Sequence, residues 1–229
     1  MNIAIIPARI GSKRIVKKNI KLFNGSPMIS FVIKESLKSG LFDKIIVSTD
    51  SDEIKKISEQ YGATCPFTRP KNISDDFTPT VPVIDHAIRF CEENFNWNID
   101  NVCCIYPCAP FLLKSDLEIG LKLLDGSTKD YVFPIAEFNS SIYRSLKIKE
   151  KNNLVSVFPE NILERTQNLD KAYYDVGQFY WGRKSSWLKN DKIHSSSEGI
   201  IIPSWRAVDI DTPDDWKRAE LLFNLLEKE

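Results

Sequence analysis

Five cations fall within ten residues of this chain: Arg9, Lys13, Arg14, Lys17 and Lys18, with Gly11 and Ser12 among them. They follow an apolar run, Ile3 to Ile6, that stops at Pro7. A glycine-containing loop of this charge can neutralise several phosphate oxygens at once, through backbone N–H groups and point charges together. A second group, Asp209-Ile210-Asp211, sets two carboxylates two residues apart, with Thr212 and Pro213 behind them. In extended chain that spacing puts both acids on one face and turns Ile210 towards the core. Neighbouring carboxylates repel unless a cation lies between them. One or two of them with substrate phosphates make a common Mg²⁺ site. The same residues also read as a helix start, with Asp211 or Thr212 as cap and Pro213 in the first turn. Both readings hold together if Thr212 caps while Asp209 and Asp211 face a metal.

A basic loop by itself reads equally well as solvated surface or as a nucleic-acid patch, so its position has to decide. Ile3 to Ile6 lacks polar alternation, as expected of a strand buried on both faces of a parallel sheet. Ligands of open α/β sheets gather at the carboxyl ends of such strands, which favours a nucleotide. Apolar spacing after Pro27 (Met28, Ile29, Val32, Ile33, Leu37) predicts a helix. Further strands are expected over residues 44–49, 63–67 and 102–106, and helices over 50–61, 83–95 and 115–124. Between 69 and 82 lies a proline-rich loop, RPKNISDDFTPTVP. This alternation predicts an α/β fold: a Rossmann-like, three-layer α/β/α arrangement around a mostly parallel sheet wound by right-handed crossovers.

From about residue 131 the rhythm changes. Residues 132–135 read as a strand, 145–158 as paired strands about a polar turn, 160–175 as polar chain and 177–181 as an aromatic strand. A last helix runs to Leu226 with Trp216, Ala219, Leu222 and Phe223 inward. The expectation is a single domain over 1–229 with an antiparallel excursion at about 136–172.

Lysine plus arginine equals aspartate plus glutamate at 31 each in 229 residues, so no global field draws the chain to nucleic acid or membrane. Five cysteines without a C-x-x-C pair and only two histidines argue against zinc. The opening apolar run is too short for a signal or spanning segment, and the chain reads as cytoplasmic. Neither a Walker string nor G-x-G-x-x-G occurs.

Ala8, Arg9, Ser12, Lys13, Lys18 and Asn19 together match the N-terminal signature of the sugar-acid cytidylyltransferases, which the chain resembles over nearly its full length. That resemblance implies the nucleotide-diphospho-sugar transferase type of fold. It also implies CTP as nucleotide, Mg²⁺ as cofactor, a nine-carbon 2-keto acid sugar as co-substrate, and a homodimer into which the excursion reaches. The family's Asp-x-Asp corresponds to Asp209 and Asp211, and its Ser-Asp stretch before a helix to Ser74 to Thr80, with Thr80 the expected nucleotide contact. Tyr106 stands where many sialic-acid enzymes carry glutamine, and reads either as its substitute or as a half-buried aromatic. Arg165, Gln167, Tyr174, Asp175 and Gln178 lie in strings that resemble the pseudaminic acid branch.

The function implied is attack of the sugar's anomeric hydroxyl on the α-phosphate of CTP, giving CMP-pseudaminic acid and pyrophosphate. Arg9, Lys18 and Asp211 are the expected catalytic groups. N-acetylneuraminic or legionaminic acid is the alternative sugar, and a non-catalytic nucleotide-binding protein is the alternative of another class.

Overall fold

The computed structural model describes residues 1–189 and 192–226. Strand β1 (Asn2–Pro7) buries Ile3, Ala4, Ile5 and Ile6 completely. Its alternate side chains enter two different cores. Ala4 and Ile6 meet Ile29, Val32 and Ile33 of α1 (Met28–Ser39), which follows a two-residue hairpin of β2 (Leu22–Phe23) and β3 (Ser26–Pro27). Ile3 and Ile5 face the other way, onto Ile84, Ala87 and Ile88 of a helix described below. Each such isoleucine contributes about 1.5–3 kcal/mol of burial, which locks the register of the strand that feeds the basic loop.

β4 (Lys44–Ser48) and β5 (Asn101–Ile105) flank β1, both in parallel. Between them run α2 (Asp52–Gln60), capped by Ser51, and α3 (Thr80–Phe95), the helix that covers Ile3 and Ile5. α4 (Lys114–Gly126) follows β5 and packs on the first face, and β6 (Tyr131–Glu137) comes next. β10 (Phe179–Arg183) is inserted between β5 and β6, antiparallel to both. β9 (Tyr173–Asp175) lies on the same edge of β6 as β10, and the chain between the two turns at Gly177 with φ 67°. α5 (Lys184–Leu188) puts Trp187 into the second face, and β11 (Ser197–Ile201) closes the far edge parallel to β6. The order is β11-β6-β10-β5-β1-β4, with only β9 and β10 opposed to the rest. Helices on both faces complete the expected mostly parallel three-layer architecture.

Residues 138–172 leave this body as an excursion. Within it β7 (Leu146–Ile148) and β8 (Leu154–Ser156) pair as an isolated antiparallel hairpin. Arg144 braces its return by donating to the carbonyls of Asn161, Ile162 and Glu164. A third, small cluster gathers separately from the two faces of the sheet. There Trp216 and Ala219 of α6 (Pro213–Leu226) pack with Ile15, Phe23, Met28, Phe111, Val208 and Ile210.

Some expectations need correction. Residues 63–67 form no strand: Thr64 makes one bridge to Ile46, and Pro66 removes the next donor. α3 begins at Thr80, earlier than expected, because Pro82 falls in the first turn, where its missing N–H costs nothing. β9 sits in a stretch that read as polar chain. β11 and α5 were not anticipated.

Candidate active site

Ala8 is fully buried and donates its N–H to the Ser48 carbonyl at 2.9 Å, continuing the β1/β4 pairing one step past Pro7. The basic loop therefore starts from a fixed point at the carboxyl edge of the sheet. Asp50 accepts from the N–H of Ile10 at 3.0 Å, and Ile15 pins the middle of the loop into the third cluster. Asn19 is buried, donates to the Arg9 carbonyl at 2.8 Å and accepts from the Cys108 thiol at 3.3 Å. Ala8 and Asn19 thus brace the loop, while its cations project.

They project into a cleft of about 710 Å³ lined by Arg9, Ser12, Lys13, Arg14 and Lys18 from the loop. Asp209 and Asp211 line it beside them, as do residues of the segment Ile73 to Thr80, which forms the rim, and Tyr106, Pro107 and Gly177. The cations divide between two acids. Arg9 and Lys13 both pair with Asp76, and these two bonds hold its carboxyl below the ordinary range. Arg14 reaches Asp211 at 3.0 Å, while Lys18 donates to the Ile210 carbonyl at 2.7 Å and meets Asp211 at 3.3 Å.

The acid pair is presented as its spacing predicts, although the segment is irregular and not a strand. Val208 and Ile210 are buried, and Asp209 and Asp211 turn to the cleft. Burial first, and then the charge of Asp211, pushes the Asp209 carboxyl up. Thr212 and Asp215 form a reciprocal cap on α6: the Asp215 N–H donates to Thr212 Oγ1 at 3.2 Å, and the Thr212 N–H donates to Asp215 at 2.8 Å. Helix capping therefore falls to Thr212 and Asp215 and leaves Asp209 and Asp211 to the cleft. Behind them, the buried Arg206–Asp116 pair ties this segment to the start of α4.

Thr80 opens α3 and hydrogen-bonds Tyr106 through the two hydroxyls at 2.7 Å. Burial pushes the Tyr106 phenol up to about 12, so it stays protonated at any working pH. Asp175 does not open onto the cleft; three groups claim its carboxylate. The Gly177 N–H donates at 2.8 Å, Tyr180 Oη at 2.8 Å, and His194 Nε2 lies at 2.7 Å. Gln178 is buried and donates to the Arg206 carbonyl at 2.9 Å, and its own oxygen has no partner among the described residues. Tyr174 stacks at a tilt on Phe138, 5.0 Å between centroids. Arg165 and Gln167 lie exposed in the excursion and are not part of the cleft wall.

Arg69 lines the cleft and was missed. It is 5% exposed, its Nε and Nη2 have no partner among the described residues, and burial lowers its pKa. A desolvated guanidinium with open donors suits a carbonyl or phosphate oxygen. Only its place in the Arg-Pro-Lys start of the proline-rich loop hinted at it. Asp76 was likewise visible only as part of a Ser-Asp-Asp string.

Sheet order, cleft position and the facing of cations and acids define a nucleotidyltransferase-type α/β protein. A family model described as cytidylyltransferase matches residues 3–186, and the chain belongs to that family of enzymes. The pseudaminic acid cytidylyltransferase of Campylobacter jejuni is 37% identical over 225 residues, spanning 98% of this chain and 97% of that one. The CMP-N,N'-diacetyllegionaminic acid synthase of Legionella pneumophila is 31% identical, spanning 97% and 96%. Among solved structures, a CMP:2-keto-3-deoxy-manno-octonic acid synthetase complexed with CTP superposes with a TM-score of 0.73 at 15% identity, covering 98% of this chain and 99% of that one. At that identity the likeness speaks for the fold.

Proposed function

We propose that the chain condenses CTP with pseudaminic acid, releasing CMP-pseudaminic acid and pyrophosphate. The near full-length 37% identity to the Campylobacter enzyme supports the sugar, and one geometric observation supports the chemistry: four cations of the loop and the Asp209–Asp211 pair line a single cleft. The anomeric hydroxyl attacks the α-phosphorus, and the bond to the bridging oxygen of pyrophosphate breaks. Arg9, Lys13 and Lys18 hold the triphosphate and spread the charge that develops on the leaving group. Lys18, anchored on the Ile210 carbonyl, sits between loop and acids and fixes the distance across the cleft. Arg69 offers its two open donors to the nucleotide, and the Thr80–Tyr106 pair forms the wall between nucleotide and sugar.

Asp209 and Asp211 fit a hard divalent cation: both donors are oxygen, they share one face, and burial together with the charge of Asp211 raises Asp209. Mg²⁺ bound there would supply charge neutralisation at the α-phosphate and orientation of the hydroxyl. Among the described residues no group of three metal-binding side chains gathers, and water with substrate phosphate would fill the rest of the shell. The excursion exposes Leu146, Ile148, Leu154 and Leu163, a surface that suits a second copy of the chain, and we place Arg165 and Gln167 against the sugar of that copy. No described helix is long and apolar enough to cross a membrane, and five unpaired thiols suit a reducing, cytoplasmic setting.

Pyrophosphate release with CTP and Mg²⁺ tests this, with pseudaminic, N,N'-diacetyllegionaminic and N-acetylneuraminic acids offered in parallel. Turnover with pseudaminic acid alone is expected. Turnover with another acid alone keeps the chemistry and discards the sugar. Silence with all three would fit a non-catalytic nucleotide-binding protein and overturn the enzymatic reading.

A further inference from the structure

We infer that Asp76 sets the charge threshold of the phosphate cradle, competing with an entering anion for Arg9 and Lys13. The inference rests on reading the cleft as a triphosphate site. Asp76 lies on the rim segment, and its carboxylate engages Arg9 and Lys13 at once. Arg14 and Lys18 belong to Asp211. An anion that binds Arg9 and Lys13 has to share their charge with Asp76 or displace it.

The rim holds Asp76 there. Next to it, Asp75 accepts from the Phe77 N–H at 2.9 Å and from the N–H and hydroxyl of Thr78 at 2.7 and 2.8 Å. Ser74 donates back to the Pro70 carbonyl at 2.8 Å, and the Arg69 N–H anchors the start of the segment on Thr49 at 2.7 Å. A carboxylate tethered this way acts at a fixed local concentration, as a linked ligand does. Lys13 is 81% exposed and would hold a lone partner weakly, whereas the Asp76 side chain is only 27% exposed and shares Arg9 as well.

Selection by charge follows. Inorganic phosphate offers Arg9 and Lys13 little more charge than the tethered Asp76 already does, and it bears the entropy of association besides. A triphosphate also reaches Lys18 and Arg14, so it displaces Asp76 where orthophosphate cannot. After the α–β bond breaks, pyrophosphate has lost its link to the nucleoside, and Asp76 reclaims Arg9 and Lys13 as it departs. Asp76 is thus a specificity-determining residue for the anion and a competitor that speeds its release.

Calorimetric titration with inorganic tripolyphosphate, pyrophosphate and orthophosphate, without nucleotide or metal, tests this on the intact chain and on Asp76→Asn. The variant keeps the side chain's size, removes its charge and replaces one accepting oxygen by an N–H₂, and an unchanged thermal midpoint serves as its folding control. We expect Asp76→Asn to bind pyrophosphate about five-fold tighter, the factor for loss of one shared competing ion pair. Orthophosphate should bind measurably to the variant alone, and pyrophosphate should inhibit its turnover at correspondingly lower concentration. Equal or weaker polyphosphate binding by Asp76→Asn, with the parent chain binding tripolyphosphate, overturns the role of Asp76 and leaves the cleft assignment standing. Absence of tripolyphosphate binding in both chains overturns the cleft assignment and the inference with it.

Discussion

The basic loop and the excursion are built on opposite principles. In the loop every projecting cation has an acid of the same chain within reach, and buried Ala8, Ile15, Asn19 and Ile20 fasten it to two cores. The excursion has one short hairpin and an arginine clamp, and it leaves Ile148 73% and Leu163 96% exposed. Nucleotide chemistry needs charges held to a fraction of an ångström, which demands a rigid base within one fold. Apolar side chains left outside a core look for a surface to cover them. In the proposed reading, the phosphate half of the site is complete in one chain. The sugar half then carries its exposed arginine, Arg165, on an element that the chain itself does not cover.

Asp211→Ala should break this contrast most severely. It removes an acid held by both Arg14 and Lys18, and turnover should fall a thousand-fold or more, about 4 kcal/mol of transition-state stabilisation. Pyrophosphate release measures it, and thermal unfolding near that of the parent chain should accompany it. Asp116→Leu acts on the support behind the acid pair: it strands Arg206 as a buried unpaired charge. We expect a loss of about 3–5 kcal/mol in urea unfolding, with irregular kinetics at the acid pair as a consequence. Arg165→Ala sharpens the other side of the comparison. The KM for the sugar acid should rise about ten-fold while that for CTP stays put, and sedimentation should report the same assembly state as the parent chain. Equal shifts in both KM values would sink the assignment of Arg165 to the sugar.

The smallest effect concerns the rim. Hydrogen bonds from Thr78 and Phe77 hold the Asp75 carboxyl below its ordinary range. Its contribution to order is therefore present above the unfolded carboxylate value and lost only as pH falls through the lower folded value. The Thr78 amide should stay protected from exchange at pH 4, as followed by NMR, and lose protection in Asp75→Asn at pH 7.

Buried strands declare themselves in sequence because burial on both faces leaves no polar alternation, and β1, β4 and β5 were read within a residue or so on that ground. The cation loop and the Asp209–Asp211 pair were legible for a different reason: charge at fixed spacing is written in the chain itself. β9 escaped because it pairs with β6 over three residues only, and its sequence, Tyr-Tyr-Asp, carries no apolar alternation. Arg69 escaped because its meaning is its burial, and no periodicity says that an arginine beside a proline will lose its water. Asp175 was read as a sugar contact, yet the groups that occupy its carboxylate come from Gly177, Tyr180 and the distant His194. Only tertiary structure brings the last of these near.

The insertion of β10 between β5 and β6 bears on how the molecule comes to be. A nascent chain can pair β1, β4 and β5 through local crossovers as it leaves the ribosome, but β6 has no neighbour on that side until β9 (173–175) and then β10 (179–183) have emerged. The whole excursion is synthesised in that interval, with the edges of β5 and β6 both waiting for the same late strand. Long sequence separation slows such closure, and unpaired strand edges invite pairing with other chains. Premature release anywhere between β6 and β10 therefore yields a species primed to aggregate, and slower translation through the excursion prolongs that exposure without bringing the missing strand any sooner.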